Sequence, residues 1–367
     1  MKINLAFASG LFCFALTVAA QSTEPGGGLS WINAQELCIE GKGWTDTKHF
    51  YDRLPAKAEG VVRDAVWSLG RNSAGICVRF VTDATEISAR WTVRNNTLAM
   101  PHMPATGVSG VDLYVRHKGE WRWLGAAGPK NSTLTEQRLT SGMTPERREY
   151  LLYLPLYNGT DKIEIGVPSK SKCETPPARP KNSKPVVFYG TSIVQGGCAA
   201  RPGMAYPAIL GRRLDCTTIN LGFSGSALCE LEVATLLAEL DPSVYVLDPL
   251  PNMKPESVPE RMAALITTLR ETHPTTPIVL VEHIDVGSAQ VIPSRRTGYS
   301  RSNAALRQLF EQRVKAGDRK LFYIRGEKLL GKDGQGTVDG VHPTDLGFMR
   351  MADVMEPVLK RALRSAR

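Results

Sequence analysis

A serine follows a strand-like segment in the second half of the chain. Residues 185–190 (PVVFYG) begin with five apolar or aromatic residues, which is typical of a buried strand, and Ser192 comes two residues after the closing glycine. A serine hydroxyl becomes a nucleophile when a base removes its proton, and histidine is the usual base near neutral pH. The segment therefore predicts a serine nucleophile at the C-terminal end of a buried strand.

A carboxylate and an imidazole lie three residues apart near the end of the chain. Asp339 precedes His342, and Pro343 follows and is expected to open the last helix. A tight turn of this length would let Asp339 accept a hydrogen bond from one imidazole nitrogen while the other nitrogen faces a substrate. A turn-forming aspartate and a surface histidine would give the same spacing, so this motif alone does not identify a catalytic pair.

Two further segments could stabilise an oxyanion. Gly225 ends the segment 220–225 (NLGFSG), which follows a plausible short strand, and offers a backbone N–H group. Asn252 comes four residues after the strand-like segment 244–248 and offers a side-chain amide, although asparagine also often caps turns. A backbone N–H group and an asparagine amide are a common pair of oxyanion donors in acyl transfer.

The segments around these residues alternate between strand and helix patterns. This alternation predicts a parallel sheet with helices on both faces, in which ligands bind outside the carboxyl ends of the strands. Strands are expected at 186–189, 244–248, 278–283 and 321–324, and amphipathic helices at 204–214, 230–240, 258–273, 302–315 and 346–363.

The first half has a different pattern. Residues 31–168 contain short alternating or β-branched runs separated by turn residues, and no sustained helical period, which favours an all-β sandwich or barrel. All six tryptophans lie in this half and could stack on sugar rings or fill the core. Residues 169–184, rich in proline and lysine, form the predicted linker between domains at 21–168 and 185–367.

The N-terminus is typical of a secretory signal peptide. Residues 1–20 combine Lys2, an apolar run and a small-residue cleavage pattern, so we expect cleavage near Ala20 and export to the periplasm or out of the cell. That apolar run is short for a membrane span, and no other segment could cross a bilayer, so no stable membrane insertion is expected.

Composition narrows the functional classes. The chain has 367 residues, 42% of them hydrophobic, and a formal net charge of +9, but it shows no basic run or basic–aromatic alternation, so nucleic acid is not an expected partner. Besides Cys13 there are six cysteines, which permit one to three disulfides or free buried thiols. No cysteine or histidine spacing is typical of a metal site, so no metal or other cofactor is expected.

Taken together, the four segments resemble the blocks of the SGNH hydrolases, also called GDSL-type esterases. The residues of these blocks occur in the family's order: GTSIVQG at 190–196, INLGFSG at 219–225, LDPLPNM at 247–253 and DGVHPTDLGF at 339–348. The segment 110–114 (GVDLY) resembles the GxDLY motif of an N-terminal β-sandwich that is fused to one bacterial, secreted branch. The resemblance implies a flavodoxin-like parallel-sheet domain after a jelly-roll-like sandwich.

Roles carried over from the family follow the matched positions. Ser192 would be the nucleophile, His342 the base and Asp339 the residue that orients it. The N–H groups of Ser192 and Gly225 and the side chain of Asn252 would form the oxyanion hole.

Four other positions are singled out. Thr191 stands where the GDS form has an acid, and Met253 stands where the common GxND form has an aspartate; neither position belongs to the triad, so activity is expected. Arg201 and Glu230 lie near the blocks and could bind substrate, or form a surface ion pair and a helix N-terminal acid respectively.

The resemblance implies an exported serine esterase that removes acetyl or other small acyl groups from carbohydrate. The alternatives are a lipid or lysophospholipid acylhydrolase and a non-catalytic carbohydrate-binding protein. The oligomeric state, the sugar and the acyl group are not indicated by the sequence.

Overall fold

The computed structural model describes residues 28–131, 133–180, 183–285 and 287–366. The expected signal peptide at 1–20 lies outside these residues, and so do two positions of the expected linker, Lys181 and Asn182. The linker and the domain limits stay predictions.

The N-terminal half is an antiparallel sandwich, as predicted. Its strands, in chain order, are β1 Leu29–Asn33, β2 Cys38–Glu40, β3 Cys77–Thr82, β4 Ile87–Val93, β5 Val111–His117, β6 Glu120–Ala127, β7 Thr135–Thr140, β8 Arg148–Tyr153, β9 Thr160–Pro168 and β10 Cys173–Glu174. One sheet has the order β1-β9-β4-β7, and the other has the order β10-β3-β8-β5-β6 with β2 also paired to β3. Phe80, Trp91, Leu113 and Tyr150 are among the buried residues that pack between the sheets.

Two short helices interrupt this half, α1 Asp64–Gly70 and α2 Ala105–Val108, and they were not predicted. Helix α1 has only two turns, which is too short for a helical period to stand out. Its buried Val66 and Trp67 pack in the same core cluster as residues of the second half, such as Leu221 and Leu237. The helix therefore stabilises the parallel sheet rather than the sandwich.

The C-terminal half is a parallel sheet covered by helices, which confirms the predicted fold. Its strands β11 Val186–Gly190, β12 Thr218–Gly222, β13 Val244–Asp248, β14 Ile278–Val281 and β15 Leu321–Ile324 lie in the order β12-β11-β13-β14-β15. Its helices are α3 Ser192–Gln195, α4 Tyr206–Leu214, α5 Leu231–Ala238, α6 Val258–Thr272, α7 Pro293–Lys315 and α8 Asp345–Ser365. Buried clusters lie on both faces of the sheet.

The start of α7 and the position of Pro343 differ most clearly from the prediction. Helix α7 begins at Pro293, nine residues before the predicted start at Ser302, because its first turns are mostly polar and show no apolar period. Helix α8 begins at Asp345 rather than at Pro343, since Thr344 acts as its N-cap and accepts a hydrogen bond from the Gly347 N–H.

The GxDLY segment joins the two halves. Asp112 and Tyr114 alternate along β5 and therefore project from the same face of the strand. The fully buried Asp112 carboxylate accepts hydrogen bonds from Arg201 Nη1 (2.8 Å), the Gly203 N–H (2.9 Å) and Trp123 Nε1 (2.9 Å). The Tyr114 hydroxyl is also hydrogen-bonded to Arg201.

The cysteines in the described part of the chain are all unbonded thiols: Cys38, Cys77, Cys173, Cys198, Cys216 and Cys229. Within the same residues, no helix combines the length and the apolar character needed to span a bilayer.

Candidate active site

The nucleophile candidate lies at the first turn of α3, directly beyond β11. Thr191 is the N-cap, and its hydroxyl accepts a hydrogen bond from the Ile193 N–H (3.2 Å), so threonine supplies here the helix-capping oxygen that an acid could also supply. Ser192 is 7% exposed, and its Oγ lies 2.8 Å from Nε2 of His342. The hydroxyl is therefore within reach of a base.

The histidine is held by the short loop that precedes α8. Its Nδ1 lies 2.7 Å from Asp339 Oδ2, while Asp339 Oδ1 accepts hydrogen bonds from the backbone N–H groups of Val341 (2.9 Å) and His342 (2.8 Å). Partial burial acts against the charged carboxylate, but these three donors outweigh it and lower the pKa of Asp339 to about 2. Asp339 is thus ionised at neutral pH and orients the imidazole toward Ser192.

The two oxyanion candidates contact each other. Gly225 has a φ of +66°, which favours glycine, and the space where a Cβ would stand is open. The hydrogen-bond network assigns the Asn252 amide so that Oδ1 accepts from the N–H groups of Ser226 (2.9 Å), Ala227 (3.1 Å) and Gly225 (3.2 Å). This orientation fixes Asn252 on the loop and leaves Nδ2 as its donor, and the contact to the Gly225 N–H is the longest of the three.

Gln195 ties this loop to α3, and sequence reasoning missed it. Its buried amide donates to the Leu156 carbonyl (3.0 Å) and to Asn72 Oδ1 (3.1 Å), and its Oε1 accepts from the Ser224 N–H (3.0 Å). One side chain therefore connects the nucleophile turn, the N-terminal half and the glycine loop. The signal in the sequence was a polar residue, Gln195, that directly follows a buried run and precedes Gly196 and Gly197.

Arg53 fixes the end of β12 and was also missed. It is fully buried and donates to the carbonyl oxygens of Gly222 (2.8 Å), Asn220 (3.0 Å) and Asn72 (2.9 Å), and its guanidinium lies 5.2 Å from the Phe223 ring centre. Burial lowers its pKa to about 9. Because the partners lie far from Arg53 in the sequence, no local pattern marks this contact.

Arg201 and Glu230 are engaged with other protein groups. Arg201 bonds to Asp112 and Tyr114 at the junction of the two halves. Glu230 precedes α5 and pairs with Arg63 at 2.5 Å. The proposed contact of either side chain with substrate stays a prediction.

The aspartate that ends β13 is buried and has a raised pKa. Asp248 ends β13, is 2% exposed and accepts a hydrogen bond from the Tyr206 hydroxyl (2.9 Å). Burial raises the pKa of Asp248 to about 8, although the hydrogen bond from Tyr206 acts in the opposite direction. This aspartate is therefore mostly neutral at pH 7.

A cavity of about 590 Å³ borders the segment just before Asp339, but Ser192, Asp339 and His342 are not among its lining residues. Thr337, which forms a β-bridge with Pro343, lines it. Most of its other lining side chains are charged or polar, including Asp285, Arg296 and Glu327.

Family models match both halves of the chain. Residues 183–360 match the GDSL-like lipase/acylhydrolase family, and residues 29–173 match the N-terminal region of SGNH-hydrolase-type esterases, named GxDLY. No curated protein matches the chain.

Solved structures resemble most of the chain. A protein described as a GDSL-like lipase from Bacteroides ovatus is 36% identical, with a TM-score of 0.86 over 92% of this chain and 98% of that one. A salicylyl-acyltransferase from a tetracycline biosynthetic pathway is 16% identical, with a TM-score of 0.72 over 91% and 97% of the two chains. A family two carbohydrate esterase from Clostridium thermocellum is also 16% identical, with a TM-score of 0.57 over 80% and 94%.

The last two likenesses, at 16% identity, concern the fold alone, whereas the Bacteroides ovatus protein is 36% identical over 92% of this chain. The chain therefore belongs to the GDSL-like lipase/acylhydrolase (SGNH) family and carries the GxDLY N-terminal domain of its esterase-type members.

Proposed function

We propose that the protein is a serine esterase that removes acetyl or other small acyl groups from carbohydrate outside the cytoplasm. The observation that carries this proposal is the continuous hydrogen-bonded series from Ser192 Oγ through His342 to Asp339, with distances of 2.8 Å and 2.7 Å.

Acylation begins when His342 Nε2 accepts the Ser192 proton as Oγ attacks the ester carbonyl carbon. The charge that develops on the carbonyl oxygen is stabilised by the N–H groups of Ser192 and Gly225 and by Asn252 Nδ2. When the tetrahedral intermediate collapses, the C–O bond to the sugar breaks and His342 donates its proton to the departing sugar oxygen, which leaves as a hydroxyl group. Water then attacks the acyl-enzyme with His342 again as base, and the acid product and free Ser192 are formed.

The charged side chains that line the cavity next to Thr337, two residues before Asp339, support a carbohydrate rather than a lipid substrate. Its charged lining, which includes Asp285, Arg296 and Lys332, would solvate sugar hydroxyls, whereas a fatty acyl chain requires an apolar channel. The carbohydrate esterase among the structural neighbours is consistent with this choice of substrate class.

The test is acetate release from a panel of acetylated plant and algal polysaccharides and from a small acetate ester. Ser192→Ala should lower turnover by several orders of magnitude, as removal of a triad member does. The matched control is Ser243→Ala, since Ser243 lies before β13 at the opposite edge of the sheet and should not affect turnover. Asn252→Ala should lower turnover by roughly 10²-fold or more.

Each outcome affects a different part of the proposal. Wild-type activity in Ser192→Ala would overturn the mechanism. Activity on the small ester alone would preserve the chemistry and remove polysaccharide as the substrate. No release from either would contradict the esterase assignment and favour a carbohydrate-binding role.

A further inference from the structure

A histidine from the N-terminal half and a cysteine from the nucleophile loop lie beside the proposed base. The His102 and His342 rings have centres 5.9 Å apart, and Cys198 completes the group. One donor atom from each of the three residues lies within 4.8 Å of the other two. Positions 102, 198 and 342 are far apart in the chain, so no motif spacing indicated the cluster.

We propose that these three side chains form an inhibitory site for a zinc-like divalent cation. Two imidazole nitrogens and one sulfur are the donors that zinc prefers, whereas calcium and magnesium prefer oxygen. Zinc–ligand distances of about 2.0–2.3 Å place donor atoms roughly 3.3–3.6 Å apart in a tetrahedral site. The donors therefore need to approach each other by only about 1–1.5 Å, and His102 is exposed, which leaves room for its side chain to move.

The surroundings already resemble those of a metal ligand. Metal-binding histidines commonly donate their second ring N–H to a carboxylate, and His342 Nδ1 is bonded to Asp339 at 2.7 Å. Its Nε2 lies 2.8 Å from Ser192 Oγ, which could occupy the fourth position of a tetrahedral site, as could water.

The backbone at Cys198 is unusual. Its φ of +71° lies in the left-handed region, where residues other than glycine, asparagine and aspartate are uncommon. The thiol is buried. A binding cation would displace the thiol proton to the solvent and form a metal–thiolate bond, and the Asp339 carboxylate would offset part of the added positive charge.

Binding of the cation and inhibition of ester hydrolysis rest on different premises. Once Nε2 of His342 donates its lone pair to the cation, it cannot accept the Ser192 proton, so acyl transfer stops. This consequence rests on the proposed function, whereas the binding itself does not.

The test uses metal-depleted full-length protein. Zinc chloride is titrated by calorimetry into Ser192→Ala, which has no turnover, and cobalt chloride is titrated while sulfur-to-cobalt charge-transfer absorption is recorded. We expect one ion per chain and a charge-transfer band that Cys198→Ser abolishes. We expect His102→Ala to weaken binding by at least the roughly 10- to 100-fold that loss of an outer-shell partner costs.

The matched control is His117→Ala, which removes another exposed histidine of the N-terminal half and should bind like the parent protein. His102→Ala also guards against misfolding of the cysteine variant, since His102 is exposed. In parallel, ester hydrolysis with Ser192 intact should be inhibited by zinc, restored by chelation and less sensitive in His102→Ala, each relative to its own metal-free rate.

Two results would overturn the proposal: no binding, or binding that neither Cys198→Ser nor His102→Ala weakens. Binding at this cluster with unchanged or increased hydrolysis would overturn the inhibitory role. If the wild-type protein has no esterase activity while these variants still weaken metal binding, the proposed function fails and the metal site stands.

Discussion

Two aspartates in this molecule each hold a basic side chain, but in opposite environments. Asp339 orients His342 at the carboxyl edge of the parallel sheet, and its side chain is 40% exposed. Asp112 holds Arg201 between the sandwich and the hydrolase half, and its side chain is fully buried. Backbone and imidazole donors lower the pKa of Asp339, whereas burial raises the pKa of Asp112 against the opposing effect of Arg201.

The two aspartates therefore have different tasks. Asp339 orients the histidine that carries the proton, whereas Asp112 holds the two halves of the chain together. Near Asp339 the base must accept and release a proton, so the carboxylate stays charged and the loop stays near solvent. At Asp112 three donors converge on one carboxylate, from Arg201, Gly203 and Trp123, and no proton needs to move. Changes at the first aspartate should therefore affect turnover, and changes at the second should affect stability.

The largest expected effect is that of Asp339→Asn on turnover. An amide in this position favours the wrong imidazole tautomer, so kcat should fall on the order of 10³- to 10⁴-fold while the unfolding free energy changes little. Steady-state hydrolysis of a small acetate ester measures this. Asp333→Asn, which removes an exposed carboxylate that pairs with Arg350, should keep the wild-type kcat. A loss below tenfold in Asp339→Asn would remove it from the triad.

The next effect is that of Asp112→Asn on stability. Removing one partner of a buried ion pair leaves Arg201 without its counter-charge, which should lower the unfolding free energy by about 3 kcal/mol. Urea unfolding measures it, with the exposed Asp161→Asn as control, whose effect should stay within roughly 0.5 kcal/mol. The folded variant should keep most of its kcat, and equal stability of variant and wild type would contradict the role of this contact.

The smallest effect concerns a third aspartate, Asp248, whose pKa is raised to about 8. The folded protein holds this proton more tightly than the unfolded chain, so the stability it contributes is complete below about pH 4 and is lost as the pH rises toward 8. Between pH 6.0 and 7.5 the wild type should lose about 2 kcal/mol that Asp248→Asn does not lose.

Chemical denaturation at both pH values measures this difference. Asp241→Asn, an exposed carboxylate before β13, should follow the wild type. Identical pH dependence in the wild type and Asp248→Asn would show that the Asp248 carboxyl group does not hold its proton in the folded protein.

The residues at strand ends were predictable from the sequence. Ser192 and Asn252 follow buried strands, and in a parallel sheet the carboxyl ends of the strands share one edge. The Asp339–His342 turn was predictable for another reason, since a three-residue spacing brings carboxylate and imidazole together without any distant contact.

Contacts between distant segments were not predictable. Arg53 and Gln195 brace the oxyanion segment through partners that lie far away in the chain, and His102 reaches His342 from the other half. The sequence alone does not mark an arginine or a glutamine as buried. Only the tertiary structure shows which carbonyl groups its side chain is hydrogen-bonded to. Helix α1 was not predicted for the same reason. Its apolar side chains pack against the parallel sheet and not against residues close to it in the sequence.

The central claim is that Ser192 is a nucleophile activated by His342. The most direct measurement is reaction with a p-nitrophenyl phosphonate ester, which captures a nucleophilic serine covalently, followed by peptide mass spectrometry. The account predicts one adduct per chain, located on Ser192, with release of one p-nitrophenolate and a rate that falls by orders of magnitude in His342→Ala. An adduct on another residue, no adduct, or an unchanged rate in His342→Ala would contradict it.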